Sequence, residues 1–536
     1  MEATSFATRA RLALLNISPL LLYSALSLLV FSVFLPLLSW TTFSDDDSHI
    51  LRVAVEYGWL QHYFDPDVYR QLSVANYTPT ILTVYKLLAN LVGLSPAGFL
   101  LFPLCMMALL STLAGLLVHR LTDDRWPGAV VIVLLFSNFS LHTLMARPYT
   151  LHYIIGGIFA LLALLAVFRS IEFRSCILAS AYMLLAMLGK EVYLMLPVLV
   201  GLLALYRRSG LLVCAATASL LIYAVIRILV LGLPVGSGNE IDYYSGVLGI
   251  STSAWSAFLL FYAGSRFIII AVTVLAVLAN FGRALQFLPL ALLFGLPALA
   301  VPHGITAPDL HADRIFFALD CALVIASVLV LNSSLLFKNA SRWQALVAVY
   351  CFAMIMHGLN VTNWREEVQA TADYKITRFL IENSEQLIGD TILLPLNFIQ
   401  GDLMRTMMVL EGESFLLTQN CLDAQNLPAD SLTAFDSLGE PVEYDQLRQS
   451  CQAGQTGASV ISPVQVDDGY VSWQLGLEAG FTGGVLFVDR ALAVPLPQFA
   501  AQLVLPKPGE EYRFFANREN EWWFSETMPI NIVDSR

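Results

Sequence analysis

The chain has 536 residues, 57% of them hydrophobic and only 13% charged, against about 25% charged in an average soluble protein, which excludes a single soluble globule. The net charge of −12 is unevenly placed: residues 1–360 hold 19 Lys and Arg against 16 Asp and Glu, and the remainder holds 10 against 25. The acidity therefore belongs to the C-terminal part, which argues against nucleic acid as a partner and against strong docking on anionic lipid.

Taken in chain order, Arg9 and Arg11 precede a first apolar run, Pro19 to Trp40. It is longer than a signal-peptide core and has no small-residue cleavage site, so it reads as a retained span. Runs of about the length that crosses 30 Å of hydrocarbon follow near 80–95, 97–118, 127–145, 150–168, 175–189, 191–206, 210–232, 254–281, 285–302, 314–336 and 343–360. Treating 80–95 as a surface helix puts the N-terminus and the loops with Arg120, Arg125, Arg169, Arg174, Arg207, Arg208, Arg283, Lys338 and Arg342 on one side. Cytoplasmic loops are the ones enriched in Lys and Arg, so about eleven spans are expected, with the N-terminus cytoplasmic and the C-terminus outside. The opposite face then carries Asp45, Asp46, Asp47, Glu56, Asp65, Asp67, Glu240, Asp242, Asp309 and Asp313.

Residues 41–95 form a long first external loop. Its stretch His49 to Tyr63 sets Val53, Trp59 and Leu60 among charged residues, a pattern that lies in the interface plane. Trp255, Phe258, Phe261 and Arg266 predict a second interfacial turn. The fold class expected for 1–360 is mainly α, a polytopic membrane helix bundle with a membrane-level cavity on its outer face. After Asn360 a helical pattern covers 365–387, and short β-like runs appear at 391–396, 414–418, 459–466, 470–475, 484–489, 501–505 and 511–515. Residues 361–536 thus read as an acidic α+β or β-rich extracytoplasmic domain. The seven Cys show no metal or redox spacing; Cys421 and Cys451 are the two that could pair in an oxidising compartment.

Two constellations carry candidate chemistry. Just beyond the first span, Asp45, Asp46 and Asp47 stand together, followed by His49. Adjacent carboxylates repel one another, which suits a general base or a divalent-cation site; a solvated acidic loop start is the bland alternative. The second comprises Arg147, Lys190, Glu191, Arg227, Arg266, His303, His311, Asp313 and Arg314 near span ends. Such cations bind a lipid-linked phosphate or snorkel to headgroups. In Gly189-Lys190-Glu191 opposite charges interrupt two apolar runs with no loop, and the pair could simply neutralise itself. Tyr149, Tyr153, Tyr193, Tyr243 and Tyr244 stack on a sugar or belong to the interfacial aromatic belt.

Four segments carry a family resemblance: FSDDDSHI after the first span, HTLMARPYTLHYIIGGIFALLALLAVFR at 142–169, LLAMLGKEVYLMLP at 184–197, and HADRIFFALDCALVIASVLV at 311–330. They resemble the membrane glycosyltransferases of the type C superfamily (GT-C), and within it the protein O-mannosyltransferase-like branch that uses polyprenyl-phosphate sugars. Three acids stand where that branch has two, and Ala318 follows Phe316-Phe317 where a Tyr-Leu-Pro run is common.

The resemblance implies an inverting transfer of a sugar from a polyprenyl-phosphate donor to a hydroxyl acceptor on protein or glycan. It implies Asp46 as base, with Asp47 or Asp45 orienting the acceptor or holding a metal such as Mg or Mn. Lys190, Arg227, Arg266, Arg314 and Arg147 would hold the donor phosphate. His49, Glu191, His303, His311, Tyr149 and Tyr244 would line the substrate pocket. The expected location is a bacterial inner membrane with the C-terminal domain in the periplasm, in contact with membrane lipid. The rival reading is a transporter or flippase of a lipid-linked or polar solute, whose path charged span ends also line.

Overall fold

The helices begin and end where local chemistry dictates. In a computed structural model, α1 (Pro19–Phe31) starts on Ser18, whose hydroxyl accepts from the Leu21 amide at 3.3 Å, and runs on as 3-10 turns through Ser32–Ser39 around Pro36. The structure describes residues 17–333, apart from 40–42, 44–45, 74–75, 137–143, 146, 233–250 and 300–311. After these it describes 369, 371–383, 387, 403, 406, 410, 439 and the strands named below.

Three short helices cross the first loop: α2 (Asp47–Glu56), α3 (Gln61–Phe64) and α4 (Pro66–Leu72). The helix α5 (Thr80–Val92) has 13 residues, about 20 Å at 1.5 Å per residue, too short to span about 30 Å. It buries Ile81, Leu82, Tyr85 and Leu88 and exposes Leu87 and Leu91, as an interfacial helix does. The 27-residue α6 (Pro96–Thr122) starts on a Ser95 cap and stops at Asp123, which lies in the left-handed region (φ 53°). Then come α7 (Arg125–Phe136), α8 (Leu151–Arg169), α9 (Phe173–Gly189), α10 (Met195–Tyr206) and α11 (Gly210–Leu231). The bundle continues with α12 (Thr252–Ser265), α13 (Phe267–Ala279), α14 (Phe281–Leu292) and α15 (Phe317–Asn332).

Among the described residues, five helices are long and apolar enough to cross a membrane, and six if α12 and α13 count as one span. The chain is thus a polytopic membrane protein. Shorter apolar helices, α7, α9, α10 and α14 among them, account for further apolar runs expected from the sequence; the run 343–360 lies outside the described residues. The run 254–281 is not one straight span. It bends by 88° at Arg266, where the chain stops to place that guanidinium.

Helix approach is set by small residues, as in other membrane bundles. A Cβ on Gly128 would collide with the Tyr23 hydroxyl and the Gly115 carbonyl, which fixes α7 against α1 and α6. A Cβ on Gly189 would lie 2.8 Å from the Gly156 Cα, and one on Gly156 would collide with the Tyr193 ring. Glycine at 156 and 189 therefore lets α8 and α9 touch backbone to backbone.

Beyond the bundle, α16 (Ala372–Glu382) packs Phe379 edge-on to Phe435, with centroids 5.3 Å apart. The strands β1 (Thr391–Leu393), β2 (Leu416–Thr418), β3 (Leu432–Phe435) and β4 (Pro441–Val442) form one sheet in the order β2-β1-β3-β4. In it β1 is parallel to both β2 and β3. A second sheet has the order β5-β11-β10-β8-β9, with β12 also pairing β10. Its strands are β5 (Cys451–Ala453), β8 (Thr482–Phe487), β9 (Leu492–Pro495), β10 (Glu511–Arg518), β11 (Glu521–Phe524) and β12 (Met528–Pro529). The long β6 (Ala458–Asp467) and β7 (Tyr470–Leu477) make a hairpin. The β-like run 501–505 and Cys421 lie outside the described residues, and so does the Cys451 side chain.

Candidate functional site

The acidic cluster sits where α2 begins. Asp47, its first residue, is fully buried and accepts a 2.5 Å hydrogen bond from the Tyr85 hydroxyl. Burial, and then the Asp47 charge, push the Tyr85 phenol well above the usual tyrosine range, so it stays protonated and donates. Asp46 is exposed; its charge bears on both Tyr85 and Arg314. The two carboxylates thus differ in burial, Asp47 enclosed against Tyr85 and Asp46 at the surface. Asp45 lies outside the described residues.

The neighbouring helix α5 holds α2 at its other end as well. Lys86, next to Tyr85, donates to the carbonyls of Ala54 (3.2 Å), Val55 (3.3 Å) and Tyr57 (2.5 Å), and its ammonium lies 5.8 Å from the Trp59 ring centroid. A cation there complements the negative end of the helix dipole. Beside it His62 is completely buried. Burial, with the Lys86 charge second, draws His62 from 6.5 down to about 4. His49 lies on α2 with its Nδ1 3.5 Å from Arg52 Nη2, while Arg52 pairs with Glu56 at 2.9 Å.

Two guanidinium groups converge on one phenol. Arg147 Nη1 and Arg314 Nη1 donate to the Tyr149 hydroxyl at 2.9 and 3.1 Å, and Arg314 also stands 5.2 Å from the Tyr149 ring centroid. These residues come from the extended segment before α8 and from the 3-10 turn Ala312–Phe316 that opens α15. One helical step on, the His152 and Tyr153 rings lie 4.6 Å apart, and Lys190 Nζ sits 5.1 Å from the Tyr153 centroid and 3.5 Å from Asn76 Oδ1. The Gly156–Gly189 contact causes this: with α8 and α9 touching, the residue after Gly189 falls over the start of α8. Arg147, Tyr149 and Arg314, all singled out in the sequence, therefore meet, with Lys190 against Tyr153 close by, and the Asp46 charge bears on Arg314.

Two expected phosphate ligands have carboxylate partners of their own. Arg227 Nε pairs with Glu191 Oε1 at 2.9 Å; that oxygen also accepts from the Tyr223 hydroxyl (3.1 Å) and the Tyr77 amide (3.2 Å). Lys190 and Glu191 thus face different partners and do not neutralise each other. Arg266 is fully buried against Asp320, its Nε 2.9 Å from both carboxylate oxygens, and the Tyr262 hydroxyl adds a 2.9 Å bond to Oδ1. A charge buried at a helix break needs such a partner, so Arg266 is consumed in holding α13 to α15. His303, His311 and Tyr244 lie outside the described residues.

Among the described residues no three His, Cys, Asp or Glu side chains gather in a way that would hold a metal. A Mg or Mn ion wants several oxygen ligands; of the three acids expected to supply them, Asp45 lies outside the described residues.

Tyr85, His152, Asn76 and Asp320 were missed in the sequence. The class that fold and site define is a polytopic membrane protein in which carboxylates and cations from four distant segments stand at helix ends. No family model matches the chain, and no curated protein matches it. Among solved structures, ArnT from Cupriavidus metallidurans is similar to it in two forms, one bound to undecaprenyl phosphate and one in the apo state. Both have 14% identity and a TM-score of 0.46, covering 74% and 75% of this chain and 85% of ArnT.

Proposed function

We propose that the chain is a membrane glycosyltransferase of the GT-C class that moves a sugar from a polyprenyl-phosphate donor to a hydroxyl acceptor. The observation that carries this reading is the convergence of Arg147 and Arg314 on Tyr149 beside the exposed Asp46. Arg147 and Arg314 meet on Tyr149, with Lys190 against the Tyr153 ring, and in this reading they receive a phosphate ester, whose oxygens suit arginine forks. The four motif segments support the same class; the O-mannosyltransferase-like branch rests on them alone.

In this reading Asp46 takes the proton of the acceptor hydroxyl. The oxygen attacks the anomeric carbon from the side opposite the phosphate, the C–O bond to phosphate breaks, and the lipid phosphate leaves with the electron pair. Arg147, Arg314 and Lys190 stabilise the charge that grows on it, a contribution that fixed donors make without reorganising. Asp47, tied to Tyr85, anchors the start of α2 so that Asp46 keeps its position. Glu191 and His49 flank the pocket, and Arg227 orients Glu191. The acceptor is a hydroxyl of a protein or glycan, and the setting is a bacterial inner membrane with the N-terminus cytoplasmic and the C-terminal strands periplasmic.

The test is release of undecaprenyl phosphate from a panel of undecaprenyl-phosphate sugars by the purified full-length protein. Asp46→Asn should lower turnover by about 10²- to 10⁴-fold, the usual span of general-base catalysis, with donor binding kept. Undiminished turnover in Asp46→Asn and Asp47→Asn alike removes the base assignment. Movement of lipid across vesicles with no release of phosphate would favour a flippase.

A further inference from the structure

We propose that His152 is a specificity-determining residue that accepts, through Nε2, a hydrogen bond from a hydroxyl of the donor sugar. This rests on the donor reading above. His152 is the second residue of α8 and is half-buried. Its Nδ1 lies 2.8 Å from the Tyr149 carbonyl oxygen; a carbonyl can only accept, so Nδ1 carries the proton. In the neutral ring Nε2 is then a lone-pair acceptor.

Among the described residues His152 makes its hydrogen bond through Nδ1 alone. A proton on Nε2 would add a third positive charge beside Lys190 and Arg314, both of which bear on this ring. Nε2 is thus an acceptor next to two cationic donors, Lys190 and Arg314. Phosphate oxygens carry no hydrogen to give it, whereas sugar hydroxyls do.

Placement agrees. The ring is held from both sides, by the Tyr149 carbonyl and by Tyr153 at 4.6 Å. The Tyr149 that anchors it is the residue on which Arg147 and Arg314 meet. A phosphate held by those arginines would carry its sugar one bond away, and one hydroxyl of that sugar is proposed to sit at Nε2. The geometry therefore separates two tasks: cations hold the phosphate, and His152 senses whether a sugar is attached to it.

Two substitutions isolate the acceptor. In His152→Asn the amide N–H can still serve the Tyr149 carbonyl, but nothing reaches the Nε2 position; in His152→Gln the amide oxygen reaches that position. Binding of undecaprenyl phosphate and of its monoglycosyl derivatives would be measured on the full chain in detergent, with thermal unfolding as a control. For the derivative that binds best to the wild type, His152→Asn should weaken affinity about tenfold, one hydrogen bond's worth. Affinity for sugarless undecaprenyl phosphate should be unchanged, and His152→Gln should recover part of the loss.

Equal weakening of both lipids, or no change in either, overturns the proposal. If the wild type binds neither, the donor reading itself fails, which is a distinguishable result.

Discussion

At the scale of single residues, neighbours of one chemical type stand in different surroundings. Asp47 is buried on Tyr85 while Asp46 is exposed, so adjacent carboxylates with the same intrinsic chemistry differ in their access to solvent. His62 has the clearest pH consequence. Its value falls from 6.5 to about 4 on folding, through burial first and Lys86 second. The unfolded chain binds that proton below about 6.5 and the folded chain does not, so stability is full above 6.5 and declines as pH falls toward 4. The loss approaches about 3 kcal/mol. Melting curves between pH 7 and 4 for the wild type and for His62→Phe should converge as pH drops; parallel curves would refute the assignment. A lone histidine in the sequence carries no sign of this, because its burial is decided by helices packed around it and not by a motif.

At the scale of elements, the Gly156–Gly189 contact decides where Lys190 goes. Gly189→Ala would set a methyl group 2.8 Å from the Gly156 Cα. The helices must part, at a cost of about 1–3 kcal/mol as overpacking usually brings. Donor affinity should fall with stability, because Lys190 leaves Tyr153; Gly201→Ala, with open space at its Cβ, should change neither. Much at this scale was legible. The amphipathic first loop, the short helix at 80–92 and the abrupt Gly189-Lys190-Glu191 corner all follow from patterns of polarity. The acidic pair was visible too, because charge beside an apolar run is conspicuous.

What could not be read was the rotation of the apolar helices. A span that is hydrophobic all round has no preferred face, so Asp320 passed as part of a run and Arg266 passed as a phosphate ligand. Only three-dimensional packing shows that they meet. Tyr85 and His152 stayed hidden for the same reason: aromatic rings near span ends are common, and the residue each one serves is distant in sequence.

At the scale of the whole molecule, the Arg266–Asp320 pair ties the bent α12–α13 unit to α15, the helix that Arg314 precedes. Removing one partner leaves a buried charge, and Asp320→Asn or Arg266→Gln should cost about 3–5 kcal/mol. The double variant Arg266→Met with Asp320→Leu should regain most of that, since two apolar groups leave nothing unpaired. Thermal unfolding in detergent would check both. Singles as stable as the wild type would mean that the pair does not hold the bend.

The grip of α5 on α2 has a mechanical corollary. Tyr85 and Lys86 are consecutive, yet they seize opposite ends of a ten-residue helix. The two helices must therefore tilt as a single lever, and α2 cannot roll about its own axis without breaking bonds at both tips. Asp46, the residue just before α2, therefore keeps a constant bearing on α5 whenever the pair moves.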